Sequence, residues 1–450
     1  MLKLQNKEEV QELIAQRNLL GLRHLLAECE PNEVAHLIDG LPVQDDIITF
    51  RLLPNNLATE TFQHLSYDKQ QQLIKELGAD KTRLSNLLND LDPDDRTALL
   101  EEMPGPMAQR LIQSLSAEER KVATELLGYP KESIGRLMTP DYVAVRPEFT
   151  IQQTLEHIRQ YGKDSETLSV IYVIDEKWKL IDDLRVREII LAKPEQSVLE
   201  LMDNRFVSLK AMDDQETAVR VFRDYDRSAL PVTDRSGILL GIVTVDDVLD
   251  IAEEEATEDF HKFGSIQDAI FNPLKAKVGF LYRKRIIWLF ALVFMNIFSG
   301  AAMATYEETI QAVVSLVFFL PLLIDSGGNA GAQSATLMIR AMATGDVHMK
   351  DWFKLVGKEM LVALLLGLTM AAAVALVASY RSPEIIIIVA LTMICIVLVG
   401  SVLGMSLPFI FTKFGVDPAT ASAPLITSVA DICGVLIYLS IATWYLGMSG

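Results

Sequence analysis

Cysteine, histidine and positive charge are all scarce in this chain. Its three cysteines, Cys29, Cys395 and Cys433, show no paired spacing. That excludes a disulfide framework or a thiolate metal cluster and makes a reducing, cytosolic setting the expectation. The six histidines are scattered and never approach zinc-ligand spacing. Basic residues number 41 against 60 acidic ones, a formal net charge of −19. So negative a chain argues against nucleic acid as a partner, because its recognition needs basic patches. The same charge suits divalent cations. Neither a phosphate-binding glycine loop nor a nucleophile–base set is present, so an enzyme is not expected. The first residues, MLKLQNKEEVQEL, read as the start of an amphipathic helix rather than a secretory signal.

What is present is unevenly distributed. The 450 residues allow several domains, and residues 286–450 hold only nine acidic and six basic side chains. The charge therefore lies in residues 1–285, and the remainder is apolar. Residues 1–130 show short Leu-rich segments punctuated by Pro, Asp or Ser, such as LIDGLP, FRLLPNN and LLNDLDPDDRTALLEEMP. These predict a helical superhelix. Ser116 with Glu119 has capping-box spacing, and Asp92 before Pro93 is a second expected helix cap.

Residues 131–251 alternate strand and helix patterns twice. Met138, Thr139 and Pro140 open the first copy, and LPV at 230–232 with GIVTVDD at 241–247 belongs to the second. These motifs resemble a tandem pair of CBS domains. The resemblance implies that adenine nucleotide (ATP) binding would use Thr244 and Asp247. In the first copy Asp182, Arg185 and Glu188 stand where the pattern has Gly, Ser and Asp. A purely structural, dimerising module is the alternative.

Residues 243–259 then carry eight carboxylates and no Lys or Arg. Helical spacing sets Asp247, Asp250, Glu254 and Glu258 on nearly one face. The run is either a solvated spacer or a cation-binding surface. Five apolar spans follow, at about 286–304, 309–338, 360–379, 385–411 and 420–447, each long enough to cross roughly 30 Å of hydrocarbon. Lys275, Lys277, Arg283, Lys284 and Arg285 precede the first span, and Arg340, Lys350, Lys354 and Lys358 follow the second. Positive residues remain on the cytosolic side, so the N-terminal domains are expected in the cytosol and the C-terminus outside.

Two spans are unexpectedly polar. Residues 321–340, PLLIDSGGNAGAQSATLMIR, include Asp325, Ser326, Asn329, Gln333, Ser334 and Thr336, and the last span holds Asp431 beside Thr427, Ser428 and Gly434. Polar groups at bilayer depth line water or pack on protein. The readings are a hydrated permeation path, a small-residue packing face, or, for Asp431, a protonated structural carboxyl. Asp325 is a weaker candidate that could instead cap a half-helix. Oxygen ligands without thiolate or imidazole favour magnesium or calcium.

The whole chain, with GGNAGAQSATLMIRAMA at 327–343, GVDPA at 415–419 and ADICG at 430–434, resembles the MgtE family of bacterial magnesium channels. The resemblance implies a multidomain membrane protein: an α-helical superhelical N-domain (1–130), α/β tandem CBS domains (131–251), a connecting plug helix (252–272) and a five-helix all-α transmembrane domain (273–450). It implies a homodimer in the bacterial inner membrane, with an axial pore lined by the second and fifth helices and Asp431 as its magnesium ligand. It further implies closure by regulatory magnesium at Glu60, Asp94, Glu216, Asp226, Asp247, Asp250, Glu255, Glu258 and Asp259. Ala98 stands where a further carboxylate can occur. The competing expectations are a less selective divalent-cation transporter, and a membrane-anchored cation or nucleotide sensor that transports nothing. An ion-coupled transporter built from inverted repeats fits poorly, because five spans do not divide equally.

Overall fold

The structure, a computed structural model, describes residues 2–78, 80–266 and 278–447, with the side chains of residues 2–6 left out. The last part of the expected plug helix, 267–272, lies outside the described residues. The chain divides into two compact units, Met1–Ile251 and Ala252–Gly450.

In the first unit ten helices, among the described residues, run from α1 (Leu2–Ala15) to α10 (Ala117–Leu126). Most are about ten residues long, too short to persist alone in water. They survive because each buries a leucine-rich face, as Leu73, Leu77, Leu88 and Leu99 do in one continuous core. Ser116 caps α10 as expected, its hydroxyl accepting from the Glu119 N–H at 3.1 Å. The Glu119 carboxylate does not close a capping box, however; it pairs with the fully buried Arg96. Asp92 occupies the N-cap of α8 (Pro93–Glu102) without a side-chain cap bond, because its carboxylate accepts from Gln63 instead.

Two matching layers follow. The first copy contains α11 (Ile134–Leu137), β1 (Ala144–Val145), α12 (Ile151–Tyr161), β2 (Val170–Ile174), β3 (Leu180–Arg185) and α13 (Val186–Leu191). The second contains α14 (Val198–Leu201), β4 (Leu209–Lys210), α15 (Gln215–Tyr225), β5 (Ala229–Thr233), β6 (Leu239–Thr244) and the start of α16 (Val245–Phe263). In each three-stranded sheet the short first strand runs parallel, and the third antiparallel, to a central strand that is buried throughout. Full burial explains why β2 and β5 read as continuous apolar runs. The copies share a core of Val170, Tyr172, Ile174, Leu180, Leu239 and Ile242. Thr139 of the Met-Thr-Pro signature exchanges two 2.9 Å backbone bonds with Ile242. Gly241 allows this approach, since a Cβ there would lie 2.6 Å from the Thr139 carbonyl oxygen.

The second unit is helical. Beyond the end of α16 it contains α17 (Val278–Thr305), α18 (Glu307–Ala312), α19 (Ser315–Ala343), α20 (Trp352–Arg381), α21 (Ile386–Lys413) and α22 (Ala423–Leu446). Five of these, α17 and α19–α22, are long and apolar enough to cross a membrane. The expected span 309–338 is not one helix: the chain breaks after α18 at Val313, and α19 begins two residues later. α21 is the central element, packed against α19, α20 and α22.

Candidate functional site

The glycines of α19 divide their work between two neighbours. Gly327 and Gly331 face α21, where they meet Gly400 and Gly404; a Cβ on Gly331 would come 2.8 Å from the Gly400 carbonyl oxygen, and Cβ atoms on Gly400 or Gly404 would overlap the backbone of α19. This part of the signature is a small-residue packing face. Gly328 faces α22 instead, with Thr427 3.2 Å and the Asp431 carboxylate 3.5 Å from where its Cβ would be. Asp431 is half-buried, one-third of the way along α22.

The polar side chains of α19 also divide. Ser326 and Thr336 return their hydroxyls to the carbonyls of Leu322 and Ala332, four residues back, at 2.6 and 2.7 Å. Asp325, Asn329, Gln333 and Thr336 lie three or four residues apart and are all exposed, so they form one polar stripe. Within it Asn329 donates to Asp325 at 2.9 Å. Asp325 does not cap a half-helix, since α19 is continuous through it. Ser334 is buried and donates to Glu359 of α20. Sequence reasoning missed Glu359 because it lies among Lys354 and Lys358, where a charged residue reads as the end of a span.

A second acidic assembly lies within residues 1–251. Asp94 is almost completely buried, and one of its carboxylate oxygens lacks a hydrogen-bond partner. Burial, then Asp247, Asp95 and Glu166, raises its pKa well above the carboxylate range. Burial and the charges of Asp247 and Asp92 push Asp95 up to about 7. Burial and Asp92, Asp247 and Asp246 do the same for Glu166, also to about 7. Asp247 rises to about 6, with burial the largest cause and its bond from Thr244 opposing. Asp141 likewise rises to about 6 through burial and its acidic neighbours Glu119 and Asp92. The helical domain and both CBS copies thus bring carboxylates together with little positive charge to offset them. The Asp-Pro-Asp-Asp motif was the signal for Asp95, whereas Asp141 and Glu166 carried none, being brought there by the fold.

The remaining expected regulatory residues are dispersed. Glu60 is exposed on α5 (Asn55–Gln63). Glu216 lies in the first turn of α15 and Asp226 is its left-handed C-cap, about 15 Å apart at 1.5 Å per residue. Among the described residues no group of three acids, histidines or cysteines is arranged to hold a metal ion. In the second unit Glu255, Glu258 and Asp259 occupy the last turns of α16. Lys262 Nζ lies 2.6 Å from both Glu258 and Asp417, tying α16 to the connection between α21 and α22. Burial lowers the Lys262 pKa, but the bonds to Asp417 and Glu258 raise it by more. Burial and Asp417 push Asp259 to about 6. Ser265 and Ser422 share a second bond across this contact at 2.8 Å.

Apolar spanning helices that set a carboxylate against a glycine-rich polar helix, in a chain that also carries CBS domains and buried acids, define a multi-pass cation transporter. Comparisons with known proteins agree with that class. Residues 320–441 match the divalent cation transporter model MgtE, 29–132 match the MgtE intracellular N domain, and 134–195 and 198–254 match CBS domains. The magnesium transporter MgtE of Thermus thermophilus is 38% identical over 96% of this chain and 97% of its own. That of Bacillus subtilis is 32% identical, covering 97% and 99%. A crystal structure of the cytosolic domain of the Mg2+ channel MgtE in complex with ATP is 36% identical, with TM-score 0.52, covering 54% of this chain and all but 1% of that one. The chain belongs to the MgtE family of magnesium transporters, a family of transporters and not of enzymes.

Proposed function

We propose that this chain is a magnesium-selective channel that imports Mg2+ through a pore on the axis of a homodimer and closes when cytosolic Mg2+ binds its acidic domains. The observation that carries the reading is Asp431, held 3.5 Å from the Cβ position of Gly328 beside the polar stripe of α19. An unpaired carboxylate at bilayer depth is costly and marks an ion path by default. Two copies would face their Asp431 carboxylates across the axis, at a spacing suited to a cation that keeps much of its water. The regulatory ligands we assign are Glu60, Asp94, Glu216, Asp226, Asp247, Asp250, Glu255, Glu258 and Asp259, acting on α16 as the plug. The N-terminal domain extends over 1–130, the CBS pair over 131–251, the plug over 252–272 and the transmembrane domain over 273–450. The N-terminal domains face the cytosol of a bacterial cell and the C-terminus faces outward.

The test is Mg2+ flux into liposomes containing only this protein. Asp431→Asn keeps the shape and removes the charge, and flux is expected to fall at least tenfold while the protein remains folded. Near-normal flux would remove Asp431 from the path. Asp325→Asn is expected to matter less, because Asp325 already accepts a bond from Asn329.

A further inference from the structure

Ser334 is buried on α19, yet it does not return its hydroxyl to the carbonyl four residues back, as Ser326 and Thr336 do; it donates to Glu359 on α20 instead. A serine that gives up its local backbone bond for a side chain of another helix ties the two helices together. α19 and α20 otherwise make little direct contact, since both pack on α21. The support on which Glu359 stands is fixed. Two turns earlier, Trp352 Nε1 donates to Ser406 of α21 at 3.3 Å. About two turns later Gly367 meets the same helix, where a Cβ would lie 3.1 Å from Ile394 Cα.

The position of this tie on α19 gives it a second consequence. At about 100° per residue, Ser334 lies about 100–180° around the helix from Asp325, Asn329, Gln333 and Thr336, behind the polar stripe. It lies within about 60° of Gly327 and Gly331, on the side that meets α21. Those glycines let the helices approach closely but carry no side chain to resist a roll of α19 about its axis. Hydrogen bonds near its two ends resist the roll instead. Tyr438 donates to the Leu316 carbonyl at 3.0 Å, and the bond from Ser334 to Glu359 lies about 27 Å further along. A roll of about 20° would carry side-chain atoms about 5 Å from the axis by roughly 1.7 Å, enough to misalign the stripe with Asp431.

We infer that Glu359 is a positioning residue for magnesium permeation: through Ser334 it sets the rotation of α19, and so the alignment of the polar stripe with Asp431. The inference rests on the reading of that stripe as the ion path.

It is tested by the magnesium dependence of flux in liposomes containing the full-length protein, with Asp431→Asn alongside. Glu359→Ala and Ser334→Ala should each raise the half-saturating magnesium concentration at least about threefold, whereas a loss of folded protein would lower only the maximal flux. Because the two side chains act through one bond, the double variant should shift that concentration no further than either single variant. Glu359→Gln keeps a carbonyl oxygen for the Ser334 hydroxyl and should stay within about twofold of the wild type. Unshifted half-saturation in both single variants, shifts that multiply in the double variant, or a glutamine variant as impaired as the alanine one would each overturn the inference while Asp431→Asn still abolishes flux. Flux unaffected by Asp431→Asn would overturn the path reading itself, and the inference with it.

Discussion

The acid assembly around α8 and the start of α16 makes the sharpest prediction, because protons and divalent cations should act on it interchangeably. Asp95 rises from 3.8 to about 7 and Glu166 from 4.5 to about 7, chiefly through burial. A shift of that size corresponds to about 4 kcal/mol for Asp95. The groups are partly one another's cause, so the assembly totals less than the sum, on the order of 5 kcal/mol. The sign follows from linkage: the folded form holds these protons more tightly than the unfolded form, so stability falls as pH rises from about 4 through about 7 and is flat above. About two-thirds of that loss falls between pH 5 and pH 8, so in metal-free buffer the unfolding temperature of the cytosolic domains should drop by about 7–13 °C over that interval, at 2–4 °C per kcal/mol for a unit of this size. Magnesium should recover most of that loss at about pH 8 and add little at about pH 5, where protons already neutralise the carboxylates. Asp95→Asn should flatten the metal-free pH curve and shrink the magnesium effect together. Calorimetry at the two pH values, with magnesium and with a chelator, decides it. A magnesium stabilisation as large at the lower pH as at the higher would refute the reasoning.

Other expectations concern gating, packing and orientation. Neutralising Asp247, Asp250 and Glu258 together should hold the channel open at cytosolic magnesium levels that close the wild type, with selectivity unchanged; a closing curve that does not shift would count against gating through α16. Four bridging ions, each binding the closed state about tenfold better, would supply about 5.5 kcal/mol, enough to swing a two-state equilibrium. Gly404→Ala should force α19 and α21 apart and cost at least about 3 kcal/mol, read as lost thermal stability in detergent, whereas alanine at Gly357, which meets nothing within 4 Å, should be nearly silent. A cysteine appended after Gly450 should react with an impermeant thiol reagent outside intact cells and one at Lys350 should not; the opposite pattern would reverse the proposed orientation.

Order along the chain was legible because it rests on local rules. Helix length, capping residues such as Ser116, the repeated strand pattern of the CBS copies and five apolar runs are all written in neighbouring residues, and so is the family signature at 327–343. Asp431 was legible too, since a carboxylate within an apolar run is conspicuous without any structure. What neighbouring residues do not encode is which distant groups meet. The same glycine run serves packing at Gly327 and Gly331 and contact with Asp431 at Gly328, and only the crossing of α19 with α21 and α22 separates those roles. Asp141 and Glu166 become titratable near neutrality because the fold buries them among acids from other elements. Lys262 finds Asp417 across 155 residues, and Arg227, just before β5 of the second copy, lies 3.4 Å from the carboxylate of Asp183 on β3 of the first. Charge and burial act through space, so their consequences are decided by tertiary structure, whereas periodicity acts along the chain and can be read there.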